Sequence, residues 1–295
     1  MQFVGPSVSE RMLKYVPTNL RTDLSHLTEG DKRALVILAD ISDLITKIFY
    51  RQAWTGATQL QERLADKALN GSKDDQAIYS MFEIYRGPWD RSMENKPFFD
   101  GVGPKPKGAN MYPADMTVAE FDDWVKTLPV SDAKRARGYY DLIQRRDGKL
   151  CLIEYSKAYE EQLQSVAKLM REASELVSDP SFAKFLRMRG DAFESNDYQE
   201  SELAWLKISP NSTLEAAIGP YETYEDELFS AKAFFRSVIH VRDFMGSQDL
   251  AKFTQCLELI ESHLPIPDEY RNTKLVPPPI SVVNQVYHGG DTAAP

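Results

Sequence analysis

The sequence contains few of the residues that bind metals or form disulfide frameworks. Its 295 residues include only two cysteines, too few for a disulfide framework or a zinc knuckle. Neither H-E-x-x-H nor C-x-x-C spacing occurs. The four histidines lie far apart in the chain: His26, His240, His263 and His288. We therefore predict no metal ligand, no cofactor and no catalytic residue in this chain. The scarcity of cysteine favours a cytoplasmic location.

Long apolar runs are also missing. The most apolar stretch, residues 34–48, is interrupted by Asp40, Asp43 and Lys47. A membrane-spanning helix needs ~20 predominantly apolar residues, so this stretch falls short. Residues 1–19 carry charges and contain no apolar core of a secretory signal. The sequence predicts a protein that does not associate with membranes.

An excess of positive charge is absent as well. The formal net charge is −9, which gives a field that repels phosphate backbones. Glycine-rich phosphate-binding loops and the G-x-S-x-G nucleophile motif do not occur. Nucleic acid is therefore not an expected partner, and two common kinds of self-contained hydrolytic or nucleotide site are excluded.

Apolar residues recur at helical spacing over much of the chain. Hydrophobic residues make up 42% of the sequence, as is usual for a folded globular protein. The spacing predicts the following helices: residues 31–49, 60–69, 78–85, 121–128, 159–170, 182–193 and 250–264.

Strand signals are fewer and shorter. Residues 139–144 and 150–155 are rich in β-forming side chains and flank Asp147-Gly148, a hairpin signal. Residues 280–287 predict a final strand, and residues 277–279, all proline, predict an extended segment before it. We therefore predict an α+β fold that is predominantly α-helical. Its small sheet would combine the hairpin, a strand before Gly219 and the last strand.

Prolines and glycines divide the chain into regions. Their density in residues 95–113 excludes a regular element there and predicts the longest loop. We expect an N-terminal helical region, residues 1–94, then the long loop, residues 95–115, and a mixed α/β region, residues 116–295. The first and last regions are expected to form one structural unit.

Residues 213–235 combine three local patterns without a spacer. Leu214, Ala216 and Ile218 alternate with less apolar residues and predict a strand, which Gly219-Pro220 would end in a turn. Apolar residues at helical spacing follow: Leu228, Ala231, Phe235, Val238 and Ile239. This segment therefore predicts a strand, a turn and a helix, with three acids, residues 225–227, complementing the dipole at the start of the helix.

Glu222 and Tyr224 lie between the predicted turn and the predicted helix. In an extended chain they would point to the same side and present a carboxylate and a phenol together to a peptide-like ligand. The local pattern alone favours a structural role instead, in which the acids cap the helix and the tyrosine packs on a neighbour.

The segment IGPYETYEDELF resembles the dipeptidyl peptidase III family, especially its divergent branch of zinc-dependent hydrolases that are sometimes fused to Nudix domains. YPADMTVAEFDDWV, YYDLIQRRDGKL, SNDY followed by LAWL, and LPIPDEY resemble the same branch, in the same order. The resemblance implies one lobe of a two-lobed metallopeptidase. It assigns Glu222 and Tyr224 to binding the substrate backbone in the cleft, with Gly219 and Asp226 as structural residues around them.

This chain departs from the family by lacking the family's zinc motif, H-E-x-x-x-H or H-E-x-x-H. The resemblance therefore implies zinc only for full-length relatives. Our leading hypothesis is the substrate-binding portion of such a hydrolase, with a peptide or peptide-like small molecule as ligand and a second lobe or a second copy as partner. Two alternatives remain: a non-catalytic binding protein that retains the cleft wall, and a metal-independent enzyme that uses the pocket for a small molecule.

Overall fold

Helices are the commonest regular elements of the described residues, and the strands there form three small antiparallel sheets. We describe a computed structural model for residues 7–254, 256–272, 274–275 and 280–291. The α-helices are α1 Val8–Met12, α2 Glu29–Ala53, α3 Ala57–Leu69, α4 Lys73–Tyr85, α5 Val118–Lys126, α6 Val130–Ala136, α7 Tyr155–Ala158, α8 Glu160–Ser174, α9 Pro180–Ser195, α10 Gln199–Trp205, α11 Phe244–Thr254 and α12 Leu257–Ser262. The strands are β1 Trp89–Asp90, β2 Lys96–Pro97, β3 Asp141–Arg146, β4 Lys149–Glu154, β5 Leu214–Glu222, β6 Phe234–Asp243 and β7 Val282–Gly290. The predicted α+β, mainly helical class is confirmed.

Helix α2 lies at the centre and packs on α8, β6 and β7. It begins two residues before the predicted start, because Thr28 caps it and the Asp31 carboxylate accepts a hydrogen bond from the Thr28 amide. The Asp31 carboxylate also accepts bonds of 2.8 Å from the amide and the hydroxyl of Ser178. One buried carboxylate therefore fixes both the start of α2 and the turn before α9.

The three-stranded sheet has the order β5-β6-β7. Its central strand β6 covers residues that we predicted as a helix, and that prediction is wrong. Phe234 packs against Phe49 of α2, whereas the next residue, Phe235, packs against Tyr155 and Phe193 on the opposite face. A strand buried on both faces has no simple alternation, so its apolar residues matched helical spacing by coincidence.

The hairpin β3–β4 is confirmed, with Asp147 and Gly148 at φ of 48° and 75° in its turn. It does not join β5 and β7 as predicted. It forms a sheet of its own, because β6 occupies the position between β5 and β7.

The C-terminal part differs from the prediction in one further element. The single helix expected over residues 250–264 is two helices, α11 and α12. The first begins at Phe244, where the Asp243 carboxylate accepts a 2.8 Å bond from the Gly246 amide. Strand β7 confirms the predicted last strand and pairs with β6. The extended segment predicted for residues 277–279 lies outside the described residues.

The apolar side chains form two clusters. The larger lies around α2, α8, α9 and the sheets, and the smaller is formed by the end of α2 together with α3, α4 and Phe98. We propose that residues 1–94 and 116–295 form one structural unit, because α2 contributes to both clusters. Within the described part of the chain, no helix combines the length and apolarity needed to cross a bilayer.

Gly289 of β7 touches α2 directly, and this contact generates a stability prediction. A Cβ atom at residue 289 would lie 2.1 Å from the Ser42 carbonyl oxygen, which is backbone and cannot move aside. We expect Gly289→Ala to lower the free energy of unfolding by about 1 to 3 kcal/mol through overpacking. Gly103→Ala is the control, because a Cβ there meets no atom within 4 Å. Urea unfolding of both variants measures the difference, and equal stability of the two would contradict the close contact.

Candidate functional site

Strand β5 carries the first part of the candidate site. It runs through Gly219 and Pro220 to Glu222 with an irregularity after Pro220, so the turn predicted at Gly219-Pro220 is wrong. Proline is tolerated here because β5 is an edge strand. Proline has no amide hydrogen to donate, and no described strand lies on the outer side of β5 to accept one.

Glu222 lies at the end of β5 and forms an ion pair across the sheet. Its Oε1 accepts a hydrogen bond of 2.5 Å from Nη1 of Arg236 on β6. The carboxylate side chain remains 17% exposed. No described residue donates to its Oε2 atom. Glu222 therefore combines a fixed orientation with one oxygen open to another donor.

Tyr224 lies in the turn that follows β5, and the residue is 52% exposed. Among the described residues its hydroxyl has no hydrogen-bond partner. Strand β5 ends at Glu222. The alternating side-chain directions of a strand therefore do not determine where the Tyr224 side chain points relative to that of Glu222. The exposed phenol is not the packed tyrosine that the purely structural interpretation predicted.

Asp226 organises the loop between β5 and β6. Its fully buried carboxylate accepts hydrogen bonds from four backbone amides, those of residues 228, 229, 231 and 232, at 3.0 to 3.1 Å. The Tyr112 hydroxyl donates a fifth bond at 2.9 Å. The predicted helix start is therefore a closed loop wrapped around one carboxylate. The loop satisfies the backbone amides that a helix would otherwise have paired.

The acids on either side of Asp226 fasten this loop to the long loop, residues 95–115. Buried Glu225 pairs with Lys105 at 3.0 Å and with Arg91. Glu227 also binds Lys105 through its carboxylate, at 2.9 Å. The backbone amide of Glu227 donates to the Lys107 carbonyl at 2.8 Å. Sequence reasoning missed these basic partners. The only available signal was an acidic run with no basic residue at helical spacing beside it.

Gly219 makes room for a buried arginine. Arg189 is fully buried, and a Cβ at residue 219 would lie 2.8 Å from its Nη1 atom. The guanidinium donates to Glu202 at 2.6 Å and lies over the rings of Tyr198 and Tyr221. Burial raises the pKa of both phenols above the usual range. These tyrosines therefore stay protonated near neutral pH and cannot act as general bases there.

The titratable groups of the described chain do not assemble a metal site. No group of three histidine, cysteine, aspartate or glutamate side chains within those residues could hold an ion. His240 and His288 lie on β6 and β7, and burial lowers the pKa of His288 to about 4. The carboxylates of Asp191 and Glu194 on α9 each accept a hydrogen bond from Arg171. The side chains that the structure describes therefore do not fit a zinc ion.

Comparison with known proteins gives concordant results. The family model described as Peptidase family M49 matches residues 131–292. Nudix hydrolase 3 of Arabidopsis thaliana is 32% identical over 337 residues, which cover 98% of this chain and 43% of the relative. The resemblance predicted from the sequence is confirmed, including its link to Nudix hydrolases.

Two solved structures share the fold. The structure of DPP III from Caldithrix abyssi matches with a TM-score of 0.89 and 39% identity, covering 97% of this chain and 54% of that chain. Dipeptidyl-peptidase III from Corallococcus sp. strain EGB matches with a TM-score of 0.85 and 38% identity, covering 97% and 53%. The chain thus spans about half the length of these relatives. It belongs to peptidase family M49.

Proposed function

We propose that this chain is the substrate-binding portion of a dipeptidyl peptidase III-like zinc hydrolase, and that Glu222 and Tyr224 bind the backbone of a peptide. The observation that carries the proposal is the exposed phenol of Tyr224 two residues after a carboxylate with one open oxygen, on a loop held rigidly by Asp226. Family membership supports a peptide as the ligand class.

The two side chains suit complementary parts of a peptide. The open Oε2 of Glu222 accepts a hydrogen bond from an N-terminal ammonium group or a backbone amide, whereas the Tyr224 hydroxyl donates to a carbonyl. Arg236 holds the carboxylate in place and balances its charge. A charge-assisted bond of this kind is about twice as strong as a neutral one, so Glu222 would contribute more affinity than Tyr224.

Zinc would supply Lewis-acid chemistry in full-length relatives. The donor set described for this chain does not fit zinc, because no three of its histidine, cysteine, aspartate and glutamate side chains come together to hold an ion. We therefore assign no catalytic step to these residues. The same two side chains without a catalytic group would make a peptide-binding protein, and separate assays of binding and hydrolysis distinguish the two functions.

Changing Tyr224 to phenylalanine separates a binding role from a structural one. We expect the free energy of unfolding to change by less than about 0.5 kcal/mol, because the hydroxyl is exposed and has no partner in the described chain. Peptide affinity should weaken by about 0.5 to 1.5 kcal/mol, the net contribution of one hydrogen bond. Calorimetric titration with a tetrapeptide measures this, with Tyr270→Phe as control on another exposed tyrosine. Marked destabilisation with unchanged binding would defeat the assignment.

Changing Glu222 to glutamine tests the charge. We expect peptides with a free N-terminal ammonium to lose about 1.5 to 3 kcal/mol of binding free energy, and N-acetylated peptides to lose less. Glu215→Gln is a matched control, because Glu215 forms the equivalent cross-strand pair with Arg242 at 2.6 Å. If both variants bind the free and the acetylated peptide with the same loss, Glu222 has no specific role in recognising the ammonium group.

The purified chain should retain no stoichiometric zinc and should not hydrolyse dipeptidyl substrates, because its described carboxylates and histidines form no ligand group. Elemental analysis after dialysis against a chelator measures the zinc content, and a chromogenic dipeptidyl amide measures hydrolysis. One tightly held zinc ion per chain would contradict the proposed division of roles.

A further inference from the structure

A cleft whose lining includes neither Glu222 nor Tyr224 lies between the end of α2, the hairpin β3–β4 and helix α7. Its volume is about 460 Å³, within the range of small-molecule sites. Three cationic side chains, those of Arg51, Arg146 and Lys157, line it, and no carboxylate does. The lining of the cleft is therefore positively charged, although the whole chain has a net charge of −9.

The hairpin supplies one wall of the cleft. Leu142, Gln144 and Arg146 alternate along β3 and therefore project from the same face of the hairpin. Ile153 pairs directly with Leu142 across the two strands. This wall is thus apolar at its base and becomes polar and then cationic toward its rim.

The opposite wall is built on Arg51. Its guanidinium donates to the Ala158 carbonyl at 2.7 Å and to Gln162 Oε1 at 2.5 Å, and it lies 5.0 Å from the centre of the Tyr159 ring. None of these partners is a carboxylate, so the position of the cation is fixed while its charge stays uncompensated. Asn110 holds the backbone here by donating to the Arg51 carbonyl at 2.7 Å.

The other two cations are available to a ligand. Arg146 is exposed, and the described residues provide its side chain with no ion-pair partner. Lys157 pairs with Glu160 at 2.9 Å, but both groups are largely exposed, and such pairs contribute little. An incoming anion can therefore attract Lys157 without breaking a strong interaction.

We propose that this cleft binds a small organic dianion, a phosphate monoester or a dicarboxylate, with its apolar body against Leu142, Ile153 and Tyr159. The planar guanidinium group of Arg146 suits both kinds of anion, because it can present paired donors to two oxygens, and Arg51 adds a fixed positive charge to the same cleft. The site is independent of the peptide-binding role proposed for Glu222 and Tyr224, whose side chains do not line it.

Titration calorimetry of the whole chain with phenyl phosphate, benzene-1,3-dicarboxylate and inorganic phosphate tests the proposal. We expect saturable binding of one organic dianion per chain, weakened when salt rises from about 50 to 300 mM. Tighter binding of phenyl phosphate identifies phosphate monoesters as the ligand class, and tighter binding of the dicarboxylate identifies dicarboxylates. Inorganic phosphate should bind more weakly than either, because it has no body to pack on the apolar base.

Arg146→Gln should weaken binding by about fivefold or more, since it removes a charge-assisted contact. The matched control is Arg145→Gln on the opposite face of the same strand, where Arg145 pairs with Glu120 at 2.8 Å and with Asp115 at 3.4 Å. Lys157→Gln provides a second test variant, and circular dichroism checks that all three fold. Absence of saturable binding, equal losses in the Arg145 and Arg146 variants, or inorganic phosphate binding as tightly as phenyl phosphate would overturn the proposal.

Discussion

The candidate peptide site depends on one buried carboxylate. Asp226 accepts four amide hydrogen bonds and one from Tyr112, and a buried carboxylate with any of these donors missing would be left undersolvated. The loop from β5 to β6 therefore has one well-satisfied conformation. Tyr224 lies two residues before Asp226, so the backbone position of a half-exposed tyrosine is fixed by a fully buried carboxylate close to it in the chain.

Local sequence signals were sufficient for much of the fold. Helix α2 followed from its apolar stripe, and the hairpin followed from Asp147-Gly148, because each signal acts over a few residues. Strand β6 could not be predicted in this way. It is covered by α2 on one face and by α7 and α9 on the other, and that burial comes from partners distant in the sequence. Tertiary packing, not local periodicity, selects the strand.

The candidate site shows the same limit. Glu222, Tyr224, Gly219 and Asp226 were singled out by resemblance, whereas the residues that hold their loop in place were not. Tyr112 is 114 residues from Asp226, and Lys105 is 122 residues from Glu227. Pairing over such separations leaves no local pattern. The cationic cleft on the hairpin was invisible for the same reason, because α2, the hairpin and α7 each contribute one of its cations.

The position of α2 has a consequence for the order of events during synthesis. Ser42 meets Ser237 across 195 residues, and Thr46 accepts the Gly290 amide across 244 residues. The part of α2 that packs on β6 and β7 thus lacks its native partners until those strands have left the ribosome, although α8 is made earlier. Such non-local closure slows folding and prolongs exposure of apolar surface. We infer that the part of α2 facing β6 and β7 is among the last apolar surfaces of the fold to be buried.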